Sequence, residues 1–343
     1  MGRPGKLFMF SIKSMSAAAQ SADAINRQME RLMPALTPMG IALGFLLPGV
    51  FIHLRPFVPW LFGLMTLVGA LKLRVAEFGS TIHSPIPIAA FFVSTHILMP
   101  LCAMFAASRF FSGSTNTVTG FILLFAGPAG VSSFIWVTMF RGDKALCLTL
   151  ILLDTLLAPL VVPGTVSLLM GTKVAMNITG IAVSLILMVV VPTIIGVTLN
   201  ETSRGLIPIL VCPYLNPVSK ICLMLVIAAN ASPVASIIHF SDPMVWKIAA
   251  LCIGLSTSGF LLSKFTAIAI RCNREKCVSL LFSGGLRNIS AVTTIAVTFF
   301  PEAAALPALL GIVFQQTLSA IMGKLLINSR TMNIDAKSSN HYY

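Results

Sequence analysis

Ten long apolar runs, almost free of charge, leave this chain little choice of fold. They fall near 36–52, 57–71, 86–107, 118–140, 145–170, 178–199, 208–230, 245–264, 278–300 and 303–326. A helix of about 20 apolar residues crosses a hydrocarbon layer ~30 Å thick. In that layer every backbone N–H and C=O must be satisfied within the protein, which favours helices over open strands. The sequence therefore predicts an all-α polytopic membrane protein with about ten transmembrane helices. Only 10% of the 343 residues are charged, against roughly 25% in soluble domains, so a soluble enzyme or binding module is excluded.

The net charge is +13, from 23 Lys and Arg against 10 Asp and Glu. In a soluble chain that excess would suggest nucleic acid. Here the bases follow the loops. With the N-terminus inside, seventeen of them lie on inside segments or span ends, whereas Arg55, Arg109, Lys173 and Lys247 lie outside. That asymmetry predicts cytoplasmic termini and a cytoplasmic (plasma) membrane setting. The apolar piece Leu7 to Ile12 is too short for a signal peptide, so 1–32 reads as a cytoplasmic segment with a short in-plane helix. Residues 33–326 form the membrane domain and 327–343 a cytoplasmic tail. Lys6 stands where a myristoylation motif needs Ser or Thr. Cys102, Cys147, Cys222 and Cys252 read as packing residues, and Cys272 and Cys277 have no second pair to complete a metal site, so neither a bound metal nor an organic cofactor is expected.

Two spans are interrupted at matching places. The fourth reads Phe125-Ala126-Gly127-Pro128-Ala129-Gly130-Val131-Ser132-Ser133, and the ninth Phe282-Ser283-Gly284-Gly285-Leu286-Arg287-Asn288. Each is the fourth helix of a five-helix half, and an odd number of spans per half turns the second half upside down. Broken helices at corresponding positions of two inverted repeats point to a transporter's binding site. Kinks made only for packing would give a single such site more readily than a matched pair.

Charged side chains at membrane depth cost ~2.5–3.5 kcal/mol each on insertion scales, so each invites a functional reading. Asp154 lies deep in the fifth span, Arg287 in the break of the ninth, and Lys220 in the first half of the seventh, where it can snorkel. Asp154 and Arg287 are expected to pair, directly or through water, either as a static tie or as a coupling element. His96 could relay protons or simply pack. Gln315, Gln316 and Asn230 could line a polar cavity or bond helices together.

Several of these segments carry a family resemblance. Pro128-Ala129-Gly130-Val131-Ser132-Ser133-Phe134, Gly142-Asp143-Lys144-Ala145-Leu146-Cys147 and Asp154-Thr155-Leu156-Leu157-Ala158-Pro159 resemble consecutive motifs of the bile acid:sodium symporter family. Gly69-Ala70-Leu71-Lys72-Leu73 with Glu77-Phe78, Met99-Pro100, and Ser283-Gly284-Gly285-Leu286-Arg287-Asn288 are similar to others. The resemblance covers about 36–326. It implies a panel domain of spans 1, 2, 6 and 7 and a core domain of spans 3–5 and 8–10, in which helices 4 and 9 cross. It also implies uptake of an organic anion between the two domains, coupled to sodium.

The family's sodium-binding acid in span 9 is matched here by Ser283, and its neighbouring Gln by Arg287. Phe134, Cys147 and Ile151 stand at three further positions, Thr95 replaces a Gln, and Ser133 is retained. Sodium needs hard oxygen ligands, which Phe, Ile and Cys do not supply. Proton coupling through Asp154, or uncoupled transport, is the expectation that follows, with a proton or a sodium ion as the coupling ion. The candidate substrate and ion site is Thr95, His96, Ser132, Ser133, Asp154, Ser283, Arg287, Asn288 and Gln316, its partners a small organic anion and the lipid bilayer. A transport-inactive sensor on the same fold is the alternative. A membrane-embedded enzyme is disfavoured, since the chain has no H-E-x-x-H and Gly130-Val131-Ser132-Ser133-Phe134 lacks the second glycine of a nucleophile elbow.

Overall fold

The computed structural model describes residues 38–73, 85–171, 176–236 and 241–328, with isolated positions at 24–26, 28, 29, 36 and 238. The in-plane helix expected within 1–32, the Glu77-Phe78 motif and the tail 327–343 lie largely or wholly outside them. Among the described residues the secondary structure is helical apart from one isolated β-bridge. Seven helices are long and apolar enough to cross a membrane: α1 (Pro48–Ala70), α2 (Pro85–Phe110), α5 (Lys144–Met170), α6 (Ile178–Thr202), α7 (Leu206–Ser236), α8 (Pro243–Ala269) and α11 (Glu302–Ile327). Shorter helices α3 (Thr115–Ala126), α4 (Ser133–Met139), α9 (Arg274–Gly285) and α10 (Ile289–Phe299) complete the set used below. Phe105, Leu160 and Leu168 are among the large apolar side chains pointing outward, as lipid-facing residues do.

The expected fourth and ninth spans are both broken. Helix α3 ends at Ala126 and α4 starts at Ser133, while α9 ends at Gly285 and α10 starts at Ile289. The first expected span is described as a helical stretch over 38–46, a bend at Leu47, and the start of α1. Within α1 a 3-10 segment, Ile52–Phe57, separates that start from Val58–Ala70.

Local chemistry explains most helix ends. Ser114, Asp143, Asn177, Asp242, Asn273 and Asn288 each accept a backbone N–H of the first turn, taking donors that the helix itself cannot pair. Three C-termini close on an arginine in the left-handed region, Arg141, Arg204 and Arg271, at φ 56, 52 and 57°. At each, the next N–H bonds back over the last turn: Gly142 to Val137 O, Gly205 to Asn200 O, and Cys272 to Ala267 O. This is the glycine-type helix stop with arginine in the glycine position.

Helices α2 and α6 each widen into a π-helical turn, Val93–Leu98 and Ile186–Val190. In both, a proline follows shortly (Pro100 and Pro192). Proline lacks an N–H and crowds the carbonyl four residues back, so the ladder shifts by one register before it. In α2 this widened turn carries Thr95 and His96 toward the centre of the molecule.

Candidate functional site

The two breaks meet. Gly130 N–H donates to Leu286 O at 3.0 Å and Asn288 N–H to Pro128 O at 2.7 Å, which makes an antiparallel bridge between Ala129 and Arg287. Backbone groups released by two broken helices thus satisfy each other. The approach is close enough to need glycine: a Cβ on Gly130 would lie 2.9 Å from Arg287 O, and one on Gly127 2.2 Å from Val292 Cγ2.

Asp154, fully buried on α5, points its carboxylate at this crossing. Its Oδ2 accepts the Ala129 N–H at 2.7 Å. Its Oδ1 lies 2.7 Å from His96 Nε2, a close contact whose angle falls outside hydrogen-bond geometry, and His96 Nδ1 is buried without a partner. The His96 ring stacks on Phe92, with centroids 5.6 Å apart. The expected direct pair of Asp154 with Arg287 is therefore not formed. The carboxylate is occupied by His96 and the Ala129 amide, while the Arg287 guanidinium reaches the Thr95 carbonyl at 3.5 Å and leaves Nη1 buried without a partner. Sequence reasoning missed this because the register shift in α2 decides where His96 points.

Around the crossing, Ser283 Oγ donates to Cys147 Sγ at 3.4 Å, and Ser133 Oγ donates to Gly130 O at 2.7 Å while lying 3.9 Å from the same sulfur. Thr95 Oγ1 is buried and without a partner. Two of the side chains at positions that the resemblance ties to cation binding, Ser133 and Ser283, thus meet at the Cys147 thiol. Among the described residues no group of three or more His, Cys, Asp or Glu could hold a metal ion.

On the other side of the crossing lies a cavity of about 330 Å³. Arg287, Asn288, Ser132 and Gln316 line it, whereas Thr95, His96, Ser133, Asp154 and Ser283 do not. The nine expected site residues therefore divide between this cavity and a buried cluster behind it. Gln316 accepts the Trp136 indole N–H at 3.1 Å, and Gln315 donates to Arg287 O at 3.0 Å. Asn230 bonds Thr294 across two helices, the interhelical tie foreseen as one of its two roles. Lys220 does not merely snorkel. It lines the cavity and donates to Asn26, both to its carbonyl at 3.0 Å and to its side-chain oxygen. Lys72 joins it on the lining. Its place just past the end of a span made it look like an ordinary loop base.

Residues 58–239 match the Sodium Bile acid symporter family. The Bacillus subtilis protein YbaS is 37% identical over 294 residues, which is 86% of this chain and 96% of that one. From Oryza sativa, the probable sodium/metabolite cotransporters BASS2 and BASS3 of the chloroplast are 26% and 25% identical. They cover 55% and 59% of this chain, which in turn spans 45% and 48% of them.

Proposed function

Because the chain belongs to the sodium bile acid symporter family, a family of membrane transporters rather than enzymes, we propose that it moves a small organic anion across a cytoplasmic membrane by alternating access. One observation carries the choice of an anion. The cavity beside the crossing is lined by Lys72, Lys220 and Arg287, and among the described residues its lining contains no Asp or Glu. The start of α10 adds Asn288, Ile289 and Ser290 to the same wall, so the positive end of that helix dipole faces the cavity.

In this reading the chain makes ten crossings in two inverted five-helix halves, with both termini cytoplasmic. Helix contacts support it. A Cβ on Gly44 would lie 2.4 Å from Ala228 O, and one on Gly196 2.9 Å from Leu67 O, so spans 1 and 7 and spans 2 and 6 run side by side at close range. They form the panel, and spans 3–5 and 8–10 form the core with the crossing. The cavity lies between the two, lined from α1 and α7 on one side and from α4, α10 and α11 on the other. Sodium coupling is disfavoured in this reading, since Phe134, Cys147 and Ile151 supply no side-chain oxygen at three positions that the family resemblance ties to the ion.

The test is binding and uptake of pyruvate, malate, citrate and taurocholate by the purified protein in proteoliposomes. At least one should bind, and Lys72→Ala or Arg287→Gln should weaken it by about tenfold or more, as expected for a charge-assisted contact of ~1.5–3 kcal/mol. Failure of all four anions, or unchanged affinity in both variants, would refute the reading.

A further inference from the structure

We propose that His96 and Asp154 form a proton-binding site that stands in for the metal cation and draws the anion in by charge balance. The coupling part of this inference rests on the transporter reading above; the proton site itself does not.

The geometry supplies each step. Asp154 is fully buried and held from two sides, by the Ala129 amide at 2.7 Å and by His96 Nε2 at 2.7 Å. An imidazole facing a buried carboxylate can carry a proton on one ring nitrogen or on both. In one form the imidazole is neutral, with Nε2 2.7 Å from the Asp154 carboxylate. In the other it has taken one proton from water on Nδ1, which is buried with no partner in the structure. Only an N–H bond forms and breaks, and the same proton is returned to water on the other side.

Arg287 makes that proton matter to the substrate. Its backbone pairs with Ala129, whose N–H holds Asp154, and its guanidinium reaches the carbonyl of Thr95, the neighbour of His96. The same residue lines the cavity. With the imidazole neutral, Asp154 and Arg287 cancel at the crossing, and Lys72 and Lys220 are the remaining charges on the cavity wall. With the imidazole charged, one further positive charge stands beside the cavity. That added charge favours an anion, so proton and anion favour each other by the same factor, as reciprocal linkage requires.

Lys72 and Lys220 face the cavity with Arg287, and Lys220 donates to Asn26. The helices around the pair carry Arg109, Lys144, Lys247, Lys264, Arg274, Glu275 and Lys276 toward their ends, and Lys264 donates to Leu326 O at 2.7 Å. Cys147, two turns before Asp154 on α5, is the nearest other titratable side chain on that helix and is engaged by Ser283. Arg287 is the charge that joins the crossing to the cavity.

Two arms test this, both on the full-length protein. The first needs no substrate: infrared difference spectra between about pH 5 and pH 8 in sodium-free nanodiscs. Wild type should show an imidazole-to-imidazolium change that is absent in His96→Gln and shifted in Asp154→Asn, both checked for wild-type thermal stability. A spectrum unaltered by His96→Gln overturns the site. The second arm uses labelled pyruvate and malate in sodium-free proteoliposomes. A gradient of one pH unit, acid outside, should accumulate a monoanion up to about tenfold, and His96→Gln and Asp154→Asn should only equilibrate it. Accumulation by a sodium gradient but not by a proton gradient, or accumulation retained in both variants, overturns the coupling. If wild type moves neither anion under any gradient, the transport reading fails instead, and the spectra still decide the proton site.

Discussion

Replacing Gly127 by alanine tests whether the crossing is held by contact between the two broken helices. A Cβ at Gly127 would lie 2.2 Å from Val292 Cγ2, far inside the ~3.5–4.0 Å at which carbon atoms rest. Glycine is not needed there for its backbone, since φ is −59° and ψ 152°, a conformation open to alanine. The penalty is therefore steric, and Val292 is fully buried, so it cannot swing aside into lipid. Overpacking of this kind costs about 1–3 kcal/mol. Val292→Ala alone loses packing worth about 1–2 kcal/mol. Combined, the two changes should compensate, because the new methyl occupies space the valine gave up, with a coupling of about 1–3 kcal/mol in favour of the double variant. The assay is denaturant unfolding of the four proteins in one detergent. Effects that add to within about 0.5 kcal/mol, or a Gly127→Ala protein as stable as wild type, would refute the contact.

Gln315→Leu should destabilise by about 1 kcal/mol, seen as a lower melting temperature, because it removes the donor to the Arg287 carbonyl. Arg271→Gly should stabilise by a few tenths to about 1 kcal/mol. Relief of a left-handed residue is worth roughly 1–2 kcal/mol, partly offset by unfolded-chain entropy and by the lost charge at a helix C-terminus. Arg271→Val should do the opposite in the same melting experiment, since a β-branched side chain tolerates that backbone poorly.

The architecture was legible because one period and one solvent dominate it. Apolar runs without charges predict helices, and the matched breaks at Gly127–Gly130 and Gly284–Gly285 predict where regularity stops. Asp154 was legible as a cost that needed an explanation. Its partner was not. The choice between Arg287 and His96 depends on a one-residue register shift ahead of Pro100, which no hydropathy window registers. Lys72 and Lys220 were hidden for a different reason. A base near a span end is ordinary in a membrane protein, and only the depth of the cavity shows that these two face inward. The Ala129 amide carries no side-chain signal at all, and its role follows from the backbone that Gly130 and Pro128 shape around it.

The bridge between Ala129 and Arg287 also sets an order for biosynthesis. Pro128 and Gly130 come from the first half of the chain, their partners Leu286 and Asn288 from near its end. A nascent chain that has inserted only its first half therefore holds polar backbone groups in the bilayer with nothing to bond them, a costly state that lasts until the last helices arrive. Such an intermediate has to be sheltered by water, lipid headgroups or the insertion machinery. Truncations that end before Leu286 should consequently be cleared as incomplete products rather than accumulate as stable half-transporters.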